Sequence, residues 1–293
     1  MNKSRSKLQL VLLLILIILS ILIVSPFILT LSISLSNEKD IMTYGYSFFP
    51  KNIDLSAYEF IFKNPIAIIN AYKVTTIFSV VVMVLGVAFM SMIAYALSRK
   101  NMRGKDVVSF FLYFTMLFSG GLVPTYILIT QYLHLNDTLW VYILPSLISP
   151  WYIFMIRTFF NALPEEMIEA AIVDGANEFT IYSRIVLPLS KPVLATVALF
   201  MFLAKWNDWM NSMLYINNDS LFSLQYLLQR IMQNIQILQE SSIYAGDLID
   251  ISEIPAESTR MAMAVVVAGP ALLVFPFFQK YFVQGLTIGG VKG

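Results

Sequence analysis

The chain contains no cysteine and only one histidine, His134, among its 293 residues. The absence of cysteine excludes disulfide bonds and thiolate metal sites. The carboxylates are scattered along the chain, without the spacing typical of zinc or calcium ligands. We therefore expect neither a metal site nor a catalytic residue, and we interpret His134 as a solvated residue in a short loop.

Charged residues are scarce as well. They make up 13% of the chain, against about 25% in typical soluble domains, and the mean hydropathy is +0.74. This deficit places the protein in the membrane class. The formal net charge is only +1, which gives no reason to expect a nucleic-acid partner.

A nucleotide-binding loop is missing too. A phosphate loop requires the pattern Gly-x4-Gly-Lys-Ser/Thr, in which backbone N–H groups surround the phosphates. The nearest approach is Gly104-Lys105, which lacks the earlier glycine and is followed by Asp106. We therefore predict that this chain binds no cofactor and does not hydrolyse ATP itself.

Long apolar segments are what the sequence does contain. Crossing a bilayer takes roughly 20 helical residues, and six segments satisfy this length. The predicted fold is an all-α membrane protein formed by one permease domain, 1–293, with helices at about 8–35, 74–98, 107–133, 139–160, 192–216 and 261–282. The first segment is too long for a signal peptide, so we interpret it as a retained helix.

The distribution of positive charge predicts the orientation. Cytoplasmic segments carry an excess of Lys and Arg, and the segment 99–105 holds four of them within seven residues. Lys3, Arg5 and Lys7 precede the first helix. Both termini and the segment 161–190 are therefore predicted to be cytoplasmic. The segment 217–260 becomes an external loop, with a possible amphipathic helix at 221–238.

The segment 161–190 has the local signals of two short helices. Pro164 suits a first helical position, and Gly175 suits a left-handed helix stop. Asn177 can cap a second helix that ends before Pro188. An interfacial amphipathic helix is the alternative interpretation, but it leaves the spacing of the motif described next unexplained.

This segment resembles the "EAA" motif of the membrane subunits of bacterial ATP-binding-cassette importers. The motif reads Glu-Ala-Ala, three residues, Gly, nine residues, Ile-x-Leu-Pro. The matching residues, together with Asp174 beside the glycine, are Glu169, Ala170, Ala171, Asp174, Gly175, Ile185, Leu187 and Pro188. The resemblance implies that these residues couple the chain to a separate ATPase subunit.

Further segments are similar to carbohydrate importers of the maltose-permease type, in the group of lipoprotein- or polysaccharide-type sugar permeases. They are FSGGLVP at 118–124, MIRTFF at 155–160, IVLPLSKP at 185–192 and the tail 277–293. The resemblance implies a type I importer fold in the bacterial inner membrane. The implied partners are a second homologous permease, two ATPase subunits that bind ATP and Mg, an external solute-binding protein and membrane lipid.

The fifth predicted helix departs from the family pattern because it contains Lys205 and Asp208. Ionisable residues inside a membrane segment are candidates for function, although two residues spaced i and i+3 can also form a structural pair. Neighbouring aromatic and amide side chains suit sugar rings and hydroxyls. The candidate substrate path is therefore Lys205, Trp206, Asn207, Asp208, Trp209 and Asn211, and we expect an acidic oligosaccharide as cargo.

Three other interpretations stay open at this point. Importers of non-sugar solutes carry the EAA motif too. A proton-coupled secondary carrier would show inverted repeats and more membrane carboxylates, and neither is apparent. A membrane-embedded enzyme would need a set of catalytic residues within its helices, for which Lys205 and Asp208 are the only candidates.

Overall fold

The computed structural model describes residues 3–245 and 255–289. These residues are predominantly helical, and the α-helices are α1 Lys3–Ser34, α2 Glu38–Tyr44, α3 Ser56–Ile61, α4 Pro65–Ser98, α5 Lys105–Leu117, α6 Leu122–Ile127, α7 Trp140–Ile143, α8 Pro150–Asn161, α9 Glu165–Val173, α10 Glu178–Ile181, α11 Leu187–Leu189, α12 Lys191–Trp206, α13 Met210–Tyr215, α14 Leu224–Ala245 and α15 Ala256–Gly289. Residues 246–254 of the predicted external loop and 290–293 of the predicted tail lie outside the described residues.

Three helices are long and apolar enough to cross a membrane by themselves: Gln9–Ser34, Pro65–Ser98 and Ala256–Gln279. Three further spans arise if each bent pair of helices is counted as one. The pairs are Lys105–Leu117 with Leu122–Tyr132 at 114°, Trp140–Ser146 with Pro150–Asn161 at 45°, and Glu178–Leu189 with Lys191–Trp206 at 79°. The described part of the chain thus holds three clear spans and up to six.

The observed bounds differ from the predicted ones at several places. α4 begins at Pro65 rather than near 74, because a proline at a helix start loses no hydrogen bond and the apolar pattern already continues from there. The predicted helix 107–133 is interrupted around Gly121, where φ is +85°. The predicted helix 192–216 is interrupted at 207–209, between α12 and α13.

The contacts divide the chain into two compact units. The first comprises residues 1–65 and 228–270. Within it, the carboxylate of Glu38 on α2 is buried and accepts hydrogen bonds from the backbone N–H groups of Glu257 and Ser258, at 2.9 and 3.0 Å. The Ser258 hydroxyl donates a third, at 2.7 Å. Because the first N–H groups of a helix lack partners inside it, Glu38 acts as a long-range cap of α15.

The second unit comprises residues 66–227 and 271–293. Its core is organised around α4 and the buried ring of Tyr142, which stacks on Phe78 with centroids 4.4 Å apart and planes within 7°. The Tyr142 hydroxyl lies 2.9 Å from both Ser212 Oγ and the Leu221 carbonyl oxygen. Ser212 Oγ in turn accepts from the Ser223 N–H at 3.1 Å. This chain of hydrogen bonds fixes α13 and the following turn to α7.

Candidate functional site

The segment 161–190 folds as a helix, a sharp turn and a second helix, all within the second unit. α9 ends at Val173, and Gly175 follows with φ +78°. A left-handed residue of this kind ends many helices and is usually glycine. The Asn177 side chain then accepts a hydrogen bond from the Thr180 N–H at 2.8 Å. The predicted turn at Gly175 and the predicted cap at Asn177 are both confirmed.

Two details of that prediction are wrong. Pro164 precedes the helix with an extended ψ of 123°, so α9 begins at Glu165. The second helix does not end before Pro188, since it passes through a π-helical turn, Tyr182–Val186, into α11. A proline in a helix lacks its N–H and crowds the carbonyl four residues earlier. The wider π turn directly before Pro188 accommodates both effects.

The EAA residues present an open surface. Glu169, Ala170, Asp174, Gly175 and Pro188 are exposed, whereas Ala171, Ile185 and Leu187 are half-buried. Large apolar side chains stand out beside the turn, with Val173 87% and Phe179 68% exposed. Small residues flanked by exposed apolar ones form a surface on which another protein can approach the backbone closely.

The helix–turn–helix element is attached to the end of α4 by polar contacts. Glu178, at the start of α10, accepts a hydrogen bond from the Tyr95 hydroxyl. It also pairs with Arg99, whose Nε lies 3.3 Å from Glu178 Oε2. The Tyr182 and Ser91 hydroxyls are bonded at 2.8 Å. Arg99 was used in the sequence only as a positive charge, and Ser91, Tyr95, Glu178 and Tyr182 were not singled out, although the spacing of four places 91, 95 and 99 on one helical face.

The second predicted site centres on Asp208. The Lys205 Nζ lies 2.7 Å from Asp208 Oδ2, and the two side chains are 16% and 7% exposed. Asn211 also holds this carboxylate, because its Nδ2 lies 2.6 Å from Oδ2 and its backbone N–H lies 3.2 Å from Oδ1. Asp208 therefore has three donors. Lys205 lies in the last turn of α12, where the helix dipole favours a cation.

A cavity of about 200 Å³ lies beside Lys205. Its polar lining comes from the α7–α8 connection and from α8, through Ser146, Ser149 and Tyr152. The rest of its lining is apolar and includes Pro145 and Met201. Pockets that enclose small molecules are typically about 300–1,000 Å³. This space therefore fits a carboxylate or part of one sugar ring, but no oligosaccharide.

The other predicted path residues are placed differently. Trp206 is only 2% exposed and stacks on Phe202, with ring centroids 5.7 Å apart, so its faces are covered in this conformation. Trp209 is half-buried. Asn207 is exposed and accepts a hydrogen bond from Gln225 Nε2 at 2.9 Å. The structure thus brings together Lys205, Asp208 and Asn211, and it keeps Trp206 apart from them in the core.

Known proteins are similar to the chain over most of its length. Protein LplC of Bacillus subtilis (strain 168) is 36% identical over 270 residues, which cover 92% of this chain and 90% of that protein. The polygalacturonan/rhamnogalacturonan transport system permease protein YtcP of the same organism is 37% identical, covering 92% and 93%. A solved bacterial ABC transporter "involved in the import of the acidic polysaccharide alginate" matches with a TM-score of 0.78 and 29% identity. That match covers 96% of this chain and 99% of the solved one.

Residues 64–288 match the family described as binding-protein-dependent transport system inner membrane component. The matched region contains the EAA residues with the turn at Gly175, as well as the Lys205–Asp208–Asn211 group. The predicted family is confirmed by this match and by the two relatives. The protein is accordingly a multi-pass inner-membrane permease subunit, and the chain belongs to the family of binding-protein-dependent transport system inner membrane components.

Proposed function

We propose that this protein forms half of the translocation path of an ATP-driven importer for oligosaccharides. A second, homologous permease supplies the other half, and two ATPase subunits that carry ATP and Mg supply the energy. An external solute-binding protein delivers the cargo. The chain crosses the membrane six times with both termini in the cytoplasm: the first two bent helix pairs form one crossing each, and α12 with α13 forms the fifth, while α10 and α11 remain at the cytoplasmic face. No residue in the apolar window of α1 is buried in the isolated subunit, and α1 contacts lipid and the partner permease.

The coupling surface is the element from α9 to α11. The observation that carries the proposal is the left-handed turn at Gly175 (φ +78°), which separates two short helices with exposed apolar side chains at Val173 and Phe179. Such a protruding, rigid element fits a groove on an ATPase subunit. In this position Glu169, Ala170, Ala171 and Asp174 contact the ATPase, while Ile185, Leu187 and Pro188 connect the surface to α12.

The cargo is an acidic oligosaccharide. Two proteins similar to this chain are named for acidic polysaccharides, polygalacturonan and alginate. Lys205 offers a cation beside a small, partly polar cavity, and its partner Asp208 keeps two donors from Asn211 if Lys205 turns away. A sugar carboxylate can then bind Lys205 without leaving a buried charge unpaired. Asn207 and Trp209 contact the sugar next to it, and Trp206 joins them when the path opens.

Substitutions at Gly175 test the coupling function. A Cβ at this position would meet no atom within 4 Å, so the obstacle to substitution is the positive φ and not a lack of space. Gly175→Val should distort the turn, because a β-branched residue is an outlier at positive φ. In proteoliposomes containing the complete importer, uptake of trigalacturonate should fall while the subunit still inserts and assembles.

Gly175→Asn is the matched control, because asparagine tolerates the left-handed conformation. It should retain most of the uptake that Gly175→Val loses. Equal, wild-type transport in both variants would contradict a coupling role for the turn. An assembled complex in which the wild-type chain shows no ATP-dependent uptake of trigalacturonate or of its neutral methyl ester would contradict the importer assignment for these cargoes.

A further inference from the structure

The two halves of the coupling element are attached to the rest of the second unit in different ways. α9 contributes no buried residue. In contrast, Ile181, Tyr182 and Val186, which follow the Gly175 turn, are all buried. The half after the turn is thus part of the packed core, whereas the half before it lies along the edge of that core, with only Ile168 and Ala171 half-buried among the core-packed residues of α9.

A face of α4 receives the packed half. Ser91, Tyr95 and Arg99 follow one another at intervals of four, which places them on one side of the helix and its extension. Each contacts the half that follows Gly175: Ser91 bonds to Tyr182 at 2.8 Å, and Tyr95 and Arg99 both engage Glu178. The Tyr95 and Tyr182 rings also touch, with centroids 5.2 Å apart.

The contact of α9 with the α4–α5 connection is much weaker. Lys100 pairs with Glu165, and both side chains are largely exposed, at 76% and 49%. Ion pairs of this kind contribute little to stability because water screens them. Behind the pair lies a cavity of about 580 Å³, lined by residues of α8, α9 and the α4–α5 connection, including Arg157 and Glu169. The Lys100–Glu165 pair therefore borders an open space, which Arg99 lines as well.

We infer that Glu178, Tyr95 and Arg99 form a clasp that transmits movement of the coupling element to α4, and that the exposed Lys100–Glu165 pair beside α9 does not. This inference rests on the proposed function and assigns the transmitting residues within it. The clasp residues are positioning residues, since they contact neither cargo nor nucleotide. Their contribution is that a displacement of α10 displaces the cytoplasmic end of α4 with it.

The two halves differ in how they transmit movement because their attachments differ in stiffness. One attachment joins α10 to α4, and the other joins α9 to the α4–α5 connection. Three polar contacts on one helical face, the buried Ser91–Tyr182 hydrogen bond, the part-buried Tyr95–Glu178 hydrogen bond and the Arg99–Glu178 pair with a 20% exposed Arg99, together resist both sliding and rotation of α10 on α4. A single exposed ion pair next to an open space resists neither. Coupling between sites requires a contiguous element that both sites bias, and the half after Gly175, with its several polar contacts to α4, meets this condition.

The test measures trigalacturonate transported per ATP hydrolysed, using the complete importer with its solute-binding protein in proteoliposomes. Tyr95→Phe removes only the hydroxyl, and Glu178→Gln removes only the charge. Each should lower the transport ratio about five-fold or more, while ATP hydrolysis stimulated by the binding protein continues. A purely structural role would change the amount of assembled importer instead of this ratio.

The matched controls are Lys100→Gln and Glu165→Gln, which break the exposed pair beside α9. Both should keep the ratio within about two-fold of wild type. If the clasp variants assemble poorly, Ser91→Ala removes a single buried hydroxyl on the same face and should lower the ratio on the assembled fraction.

Wild-type ratios in Tyr95→Phe and Glu178→Gln, or in Ser91→Ala where those two fail to assemble, would overturn the clasp. Equal losses in the Lys100 and Glu165 variants would overturn the assignment to the half after Gly175. Both outcomes differ from a failure of the proposed function, in which the wild-type importer itself would show no ATP-dependent transport.

Discussion

Asn211 holds the carboxylate of Asp208 with two nitrogen atoms, its amide Nδ2 at 2.6 Å and its backbone N at 3.2 Å. Because of these two hydrogen bonds, the Asp208 carboxylate does not depend on Lys205 alone for its stabilisation. Breaking a buried ion pair normally leaves an uncompensated charge and is strongly destabilising. Here the two donors from Asn211 remain without Lys205 and reduce that cost, as the proposed exchange of partners requires.

Replacing Lys205 tests the exchange. Lys205→Gln should lower uptake of trigalacturonate about ten-fold, because a charged pair contributes more than about 1.4 kcal/mol when it is shielded from water. Uptake of the fully methyl-esterified trigalacturonate, which has the same rings without the charge, should change much less. Both rates are measured in proteoliposomes at equal amounts of assembled importer.

Lys205→Arg, which keeps the charge, should retain a preference for the acidic sugar. A permanent structural pair predicts a different result: poor folding of Lys205→Gln that Asp208→Asn restores in the double variant. Unchanged uptake of both cargoes in Lys205→Gln would remove Lys205 from the path.

Tyr142→Phe should destabilise the second unit without changing its packing. The ring stacked on Phe78 remains, but the Leu221 carbonyl and the Ser212 hydroxyl lose a buried partner. An unsatisfied buried polar group costs about 1–3 kcal/mol. Thermal unfolding of the detergent-solubilised subunit should therefore begin at a lower temperature. Tyr113→Phe, on the exposed surface of α5, is the control and should unfold like wild type.

Glu38→Gln should loosen α15 in the first unit. Glutamine keeps the volume but presents only one oxygen, so it cannot accept from Glu257 N, Ser258 N and Ser258 Oγ as the carboxylate does. We expect a loss of roughly 2 kcal/mol. This loss of stability should appear as faster backbone hydrogen exchange at residues 257–260. Glu59→Gln, on the exposed face of α3, is the control. Exchange as slow as in wild type would show that Glu38 is not the cap.

The pH dependence of stability should include a contribution from Asp137. The backbone N–H of Asn217, followed by that of Asn218, holds the pKa of Asp137 below its usual 3.8. A lowered pKa in the folded state means that this stabilisation is present above the unfolded pKa. It is lost as the pH falls through the folded pKa.

The matched variant for this prediction is Asp137→Asn, because asparagine tolerates the positive φ of 52° at this position. The variant should unfold at a lower temperature than wild type at about pH 7, and the gap should close as the pH drops below about 3.8. A gap that stays constant down to about pH 3 would show that protonation of Asp137 does not contribute.

The sequence by itself predicted the family and most of the local structure of the coupling element. The EAA spacing, the left-handed turn at Gly175 and the cap at Asn177 depend on residues close together in the chain. A glycine relieves strain at its own φ, and an asparagine caps a helix that begins at the next residue. Apolar runs predict membrane helices for the same local reason, since a backbone in lipid must satisfy its own hydrogen bonds.

Other features were determined only by the tertiary structure, because they depend on how the helices pack. The breaks near Gly121 and at 207–209 lie inside segments that are long and apolar enough overall to be predicted as single helices. Trp206 suits a sugar ring by its type, but in the folded chain it is buried, with Phe202 of its own helix and the distant Tyr72 of α4 beside it. The Glu178 clasp joins positions 79 or more residues apart, and Glu38 caps a helix 219 residues away. Periodicity indicates which face of a helix is polar, but the partner of that face depends on how the helices pack.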